Sequence, residues 1–73
     1  NMAYIFLVFE EYNKTISYAQ SAIEIEPNYD TAYYMIGWAN ELKGNKAEAE
    51  KNYRKALEIN PENHRAQRDL DNL

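Results

Sequence analysis

Apolar residues recur at spacings of three and four along residues 31–43 and again along residues 46–59. This spacing is typical of amphipathic helices that bury one face. Gly44 and Asn45 separate the two stretches. The glycine can take the left-handed conformation that ends a helix, and Asn45 with Glu48 three residues later resembles a capping box that opens the next helix. The pattern predicts two helices joined by a tight turn.

The chain also repeats itself. The segment AIEIEPN at residues 22–28 recurs as ALEINPE at residues 56–62, so that Pro27 and Pro61 lie 34 residues apart. A proline disfavours helical geometry in the residue before it, so each proline closes a helix. A fixed period of this size is the signature of stacked helical repeats. The predicted unit is a helix, a tight turn, a second helix and a proline.

The complete unit at residues 30–63 resembles the tetratricopeptide family. It carries the aromatic, aliphatic and small residues of that family's first helix and the small and aromatic residues of its second, which are here Tyr33, Ile36, Gly37, Ala49, Tyr53, Ala56 and Pro61. Only Asn40 departs clearly, because an aromatic residue is usual there. The match makes physical sense: Gly37 and Ala49 let two antiparallel helices approach closely, and Tyr53 fills the space beside them.

The same register extends to both ends of the chain. Towards the N-terminus, Met2, Ala3 and Phe6 fall at the aliphatic, small and aromatic positions of an incomplete first helix, whose partner begins at Tyr12, with Thr15 where alanine is usual. The outer stripe of the second unit, formed by Ala32, Ile36 and Ala39, is expected to pack on that partner.

Towards the C-terminus, Ala66, Leu70 and Leu73 form a stripe that can lie on the preceding helix. Asp71 stands at the position of Gly37, where a close-packed helix would bury an unpaired carboxylate. The last helix is therefore interpreted as a solvated cap.

These observations predict an all-α fold, an α-solenoid of antiparallel helix pairs with a C-terminal capping helix. The expected domain is a single one over residues 1–73: an incomplete first repeat at 1–29, a complete repeat at 30–63 and the cap at 64–73. Helices are expected at 2–10, 12–26, 30–43, 46–59 and 64–72.

Composition narrows the function. The chain has a net charge of -4, which disfavours nucleic acid as a partner, because backbone binding depends on clustered Lys and Arg. It contains no cysteine, which excludes disulfides, thiolate catalysis and cysteine zinc sites and favours a cytoplasmic setting without fixing it. The apolar run at 2–9 is too short to span a bilayer, so no membrane association is expected, although a clipped signal or anchor segment stays a minor alternative.

Candidate chemistry is sparse. The single histidine, His64, has no catalytic partner at a useful spacing, Ser17 and Ser21 have no histidine within reach, and no glycine-rich phosphate loop occurs. The acidic pairs at 10–11 and at 24 and 26 lack the dense loop ligands of a calcium site. We therefore expect a binding scaffold and no enzyme, with no cofactor and no metal.

The family resemblance implies a concave groove that binds extended peptides or helices. The repeat register assigns to it an apolar and aromatic set with two arginines at the end, namely Tyr4, Leu7, Val8, Thr31, Tyr34, Met35, Trp38, Leu42, Arg65, Arg68 and Asn72. In the chaperone-binding branch of the family, Lys and Asn stand where Tyr34 and Trp38 stand here. An apolar peptide, an amphipathic helix or a helix from the same protein is therefore the expected occupant, while the structural alternative is that Trp38 packs against an adjacent helix that is absent from this sequence.

A second surface lies on the first helix, where Met2, Ile5 and Phe9 form an apolar stripe that the register leaves uncovered. Leaving such side chains in water costs roughly 1.5 to 3 kcal/mol each. An upstream repeat, a second copy of the chain or lipid are the three candidate covers. We predict self-association as a homo-oligomer, most simply a dimer, and a structural role in homo-oligomer assembly is the alternative function.

Overall fold

The computed structural model describes the backbone from Met2 to Leu73 and the side chains from Phe9 onwards. Its four helices are α1 (Met2–Ile25), α2 (Asp30–Leu42), α3 (Lys46–Ile59) and α4 (His64–Asp71). The helices pack in chain order, α1 on α2, α2 on α3, and α3 on α4. The predicted all-α fold with helical-solenoid architecture is confirmed, and no strand occurs in the described part of the chain.

The first helix differs from the prediction. The expected break between residues 10 and 12 is wrong, since α1 is one helix of 24 residues. No Gly or Pro occurs between Met2 and Ile25 to end it. Side chains keep helical spacing across and just after the expected turn: the Phe9 and Tyr12 rings lie 6.5 Å apart, and the Thr15 hydroxyl donates to the Glu11 carbonyl at 3.1 Å.

The turn between α2 and α3 is set by its glycine. Gly44 has φ of 90°, in the left-handed region. The backbone N–H of Gly44 donates to Glu41 O at 3.0 Å and that of Asn45 to Asn40 O at 2.8 Å, which satisfies the last carbonyls of α2. The predicted capping box is wrong: Asn45 is the N-cap of α3, but its side chain makes no cap hydrogen bond. Its amide instead lies 3.5 Å from the Asn40 side-chain oxygen.

The α2–α3 crossing is as close as the sequence predicts. A Cβ added to Gly37 would lie 2.7 Å from two ring atoms of Tyr53 and 3.1 Å from the Ala49 carbonyl oxygen. Tyr53 is the largest fully buried side chain, and it forms one core cluster with Ala49, Ala56 and Ala66. Only glycine fits at position 37 without displacing that ring.

A second core cluster joins α1 to α2. Ala19 packs with Ala32 and Ile36, and these three are lined by partly buried residues of α1, namely Ile16, Ala22 and Ile23. The predicted contact of Ala32 and Ile36 with the helix before them is therefore confirmed. Asn40, at the position where an aromatic residue is usual, is buried and donates from its side-chain amide to the Ile36 carbonyl at 3.0 Å.

The C-terminal helix packs on one face through two of the three residues of the predicted stripe, since Leu73 is exposed beyond the end of the helix. The Asn63 side chain caps it by accepting from the Ala66 N–H at 3.1 Å. Ala66 is fully buried, and Leu70 packs against the same core cluster. Asp71 remains exposed and accepts a hydrogen bond from the Gln67 amide at 2.9 Å. The carboxylate that would be costly to bury thus faces solvent.

Candidate peptide-binding groove

An apolar stripe on α2 stays exposed after the core has formed. Met35, Trp38 and Leu42 lie at i, i+3 and i+7 and are 39%, 41% and 43% exposed. Their helix buries Ala32 and Ile36 against α1 and Gly37 against α3, so this stripe is the remaining apolar face. Three large apolar side chains are therefore half available to a partner.

Trp38 is held in place at one edge. The Tyr12 ring meets it edge-on, with centroids 6.2 Å apart and an interplanar angle of 78°. Phe9 lies next along α1, 6.5 Å from Tyr12. Edge-to-face aromatic pairs of this geometry are favourable. Tyr12 thus covers one edge of Trp38, and 41% of this residue remains exposed.

Tyr34 has a different environment from the rest of the stripe. Its hydroxyl donates to Asp69 Oδ2 of α4 at 2.8 Å, and its ring lies 5.7 Å from that of Tyr53. Burial raises the pKa of Tyr34, and the hydrogen bond to the Asp69 carboxylate raises that pKa further. Tyr34 therefore tethers α2 to the cap and offers a partner only part of its surface.

Asp69 was not among the residues expected from sequence. The 34-residue period places it at the position of Met35, beside Tyr34 in the neighbouring repeat, so the period itself was the available signal. Asp69 also accepts from Arg68 Nε at 3.3 Å. This contact balances its charge, while the Arg68 side chain stays largely exposed.

Tyr53 of α3 is also held by a hydrogen bond from its hydroxyl to a carboxylate, here one on α2. Its hydroxyl donates to Glu41 Oε1 at 2.7 Å. Burial raises the pKa of Tyr53, with the hydrogen bond to Glu41 as the next contribution. Both tyrosines are protonated at neutral pH and act as donors to carboxylates, a structural arrangement and not an acid–base pair.

The end of α2 nearest the cap opens into a cleft of about 370 Å³. Thr31, Tyr34 and Arg65 line it, together with Asp30. Asp30 Oδ2 accepts from the side-chain amides of Asn60 at 3.1 Å and Asn63 at 3.0 Å. The Asp30 carboxylate is thus occupied by internal donors.

The cleft leaves Arg65 as its exposed cation, with Arg68 exposed on the next turn of α4. The groove therefore has an apolar middle, at Met35, Trp38 and Leu42, and a mixed-charge end at the cap, where Arg65 lies beside Asp30 and Glu62.

Several predicted residues cannot be placed on this surface. The side chains of Tyr4, Leu7, Val8, Met2 and Ile5 lie outside the described residues. The register that assigned them to the groove or to the self-association stripe assumed a turn near residue 11, and α1 has none. Phe9, the last member of the stripe, is described and is 40% exposed.

Within the described residues, no three His, Asp or Glu side chains converge in a way that would hold a metal ion. The helices in that part of the chain also include none whose length and hydropathy suit a membrane span. His64 is exposed at the start of α4.

The helix pairs, the glycine at their crossing and the turn after each unit define the class of protein. It is a helical-repeat protein that stacks short antiparallel helices. Residues 30–63, the α2–α3 unit with its turns, match the family model described as "Tetratricopeptide repeat". The chain therefore contains a tetratricopeptide repeat.

Two proteins of Saccharomyces cerevisiae are similar to it. Small glutamine-rich tetratricopeptide repeat-containing protein 2 is 37% identical over 54 residues, which cover 74% of this chain and 16% of that protein. Heat shock protein STI1 is 29% identical over 73 residues, which cover 100% of this chain and 12% of that protein. The chain thus spans only a small part of the length of either relative.

Proposed function

We propose that the chain is a protein-interaction scaffold that binds an apolar peptide or an amphipathic helix along the exposed face of α2. The observation that carries the proposal is Trp38, which is steadied by the edge of Tyr12 and still 41% exposed. Large aromatic side chains held in a fixed position contribute much contact area and lose little rotamer entropy on binding. Met35 and Leu42 extend the same face by one turn in each direction.

The charged residues at the cap end of the groove indicate which charge the partner carries at that end. Arg65 and Arg68 are exposed at the cap end of the groove. Arg68 already pairs with Asp69, and Asp30 accepts hydrogen bonds from within the chain, so Arg65 is the arginine that remains for a partner. A segment with apolar residues at helical spacing and an acidic residue at one end fits this arrangement. The two relatives, which are named as a tetratricopeptide repeat protein and a heat shock protein, support a general role in protein interaction.

The test starts from a displayed library of short peptides selected on the immobilised chain. Trp38 is the only tryptophan, so its fluorescence reports directly on titration with each selected peptide. Trp38→Ala should abolish the binding of those peptides, measured by calorimetry because the fluorophore is gone. The matched control is Tyr18→Ala, which removes another exposed aromatic, on α1 and 74% exposed. Selected peptides that bind the Trp38→Ala variant as tightly as the parent chain would remove the groove from consideration.

A further inference from the structure

Residues 10–11 occupy the position in the first repeat that residues 44–45 occupy in the second, one period of 34 residues earlier. The chain turns at Gly44, with φ of 90°. At residues 10–11 it has Glu10 and Glu11, two good helix formers, and α1 passes straight through. The Phe9–Tyr12 ring contact spans this point at helical spacing.

The continuation of α1 leads away from its own α2. Just after residues 10–11, which we call the hinge, Lys43 Nζ donates to the Asn13 side chain at 2.6 Å. Farther along α1, Ala19 packs with Ala32. The two helices therefore run antiparallel, with Asn13 beside the C-terminal end of α2. A straight helix continues from there past that end. Residues 2–9 therefore cannot fold back beside α2 of the same chain in the way that α2 folds back on α3.

The sequence of that segment requires a cover. Every residue from 2 to 9 is apolar. A helix that is apolar on all sides is buried in a folded protein. Its repeat register, with Ala3 at the position of Gly37, marks it as a first helix that belongs beside the second half of α1 and against the first helix of the next repeat.

The place for such a helix is open on α2. Met35 and Leu42 lie seven residues apart, hence almost one above the other. They are 39% and 43% exposed. Trp38, which lies between them along α2, meets the Tyr12 ring of α1 edge-on. A helix laid over Met35 and Leu42 would cover these two residues of the proposed binding face and leave Trp38 as the peptide-binding contact on α2.

We propose that a second copy of this chain covers the site, through a reciprocal exchange in which residues 2–9 of each copy take the first-helix position of the other. The exchanged segment makes the contacts that the repeat register already specifies, so no separate interface has to be encoded. The exchange is two-fold symmetric, because each copy has one donated segment and one open site. It completes the groove, since Tyr4 of the second copy takes the register position equivalent to that of Trp38.

The experiment measures the mass of the 73-residue chain in solution by light scattering at micromolar concentration, without lipid. The expected mass is twice that of one chain. The double variant Glu10→Gly, Glu11→Asn gives the hinge the small and turn-forming residues of positions 44–45. It lets residues 2–9 fold back on their own chain, so the mass should fall to that of a single chain, with helix content by circular dichroism retained.

The matched control is the double variant Glu10→Ala, Glu11→Ala, which removes the same two charges but keeps helix-forming residues at the hinge. It should remain a dimer. A folded monomer for the parent chain would overturn the proposal, and co-sedimentation of that monomer with phosphatidylcholine vesicles would identify lipid as the cover. A hinge variant that is helical and still dimeric would overturn it as well, since a dimer without exchange is indifferent to the hinge. Neither readout depends on peptide binding to the groove.

Discussion

Residues 44–45 and residues 10–11 stand at the same position of the repeat, yet the chain turns sharply at the first pair and continues as a helix through the second. The repeat register places a turn at both points. What differs is the local chemistry: Gly44 adopts a φ of 90°, which glycine accepts at little cost, whereas Glu10 and Glu11 favour the helix. The periodicity of a repeat determines which faces are buried, while its turn residues determine where each helix ends.

The two regions differ in packing for the same reason. In the second repeat, where the chain turns, α2 and α3 pack so closely at Gly37, Ala49 and Tyr53 that a Cβ added to Gly37 would clash with the Tyr53 ring. In the unturned one, the helix continues, and Met35 and Leu42 of the next helix stay half exposed. Three substitutions test this contrast.

Tyr53→Ala should have the largest effect, because it empties the centre of the α2–α3 crossing. Truncation of a buried aromatic side chain costs about 3 to 5 kcal/mol of unfolding free energy, which is enough to unfold most of a domain of this size. Thermal unfolding followed by circular dichroism measures it. Tyr53→Phe is the control: it keeps the ring and loses only the hydrogen bond to Glu41, at a cost of about 1 kcal/mol. Equal losses for the two variants would mean that the ring is not the central packing element.

Gly37→Ala should come next. The new Cβ would lie 2.7 Å from the Tyr53 ring and 3.1 Å from the Ala49 carbonyl, so α2 and α3 must separate. Overpacking of this kind costs about 1 to 3 kcal/mol, against a gain of roughly 1 kcal/mol in helix propensity. Urea denaturation of the variant and the parent gives the difference. The prediction fails if Gly37→Ala is more stable than the parent, since that would require a looser crossing.

Gly44→Ala should have a smaller effect that Glu10→Ala does not share. Position 44 has open space around it, so the cost is that of holding alanine at positive φ, about 1 kcal/mol or slightly more. Glu10→Ala, at the equivalent position in α1, replaces one helix former by another and should change stability by less than about 0.5 kcal/mol. The same urea titration compares the two. A similar loss at both positions would indicate a turn at residue 10.

Much of the fold was predictable because it depends on patterns that the sequence carries directly. The positions of Gly37, Ala49 and Tyr53 follow from the 34-residue period and from the volume that a close crossing permits. The packing of Ala32 and Ile36 of α2 against α1 follows from their helical spacing. The ends of α1 and α3 follow from Pro27 and Pro61.

Other features depend on which of several competing contacts forms. The pattern of apolar and polar residues does not show which contact is more stable. A repeat register assigns a turn to residues 10–11, but helix propensity decides against one there. Asn45 has the residue type of a capping side chain, yet the backbone bonds of the Gly44 turn are the contacts that form. The groove shows the same limit: Tyr34 was expected to face a partner, and its bond to Asp69 of the next helix engages its hydroxyl.

The most direct test of the account is the backbone conformation at its two turn positions, read from the NMR Cα chemical shifts of residues 9–13 and 42–46. The account predicts uninterrupted helical shifts through Glu10 and Glu11, and a break at Gly44 and Asn45. Non-helical shifts at Glu10 and Glu11 would show that the first repeat is turned like the second. They would contradict both the single first helix and the exchange between copies that is inferred from it.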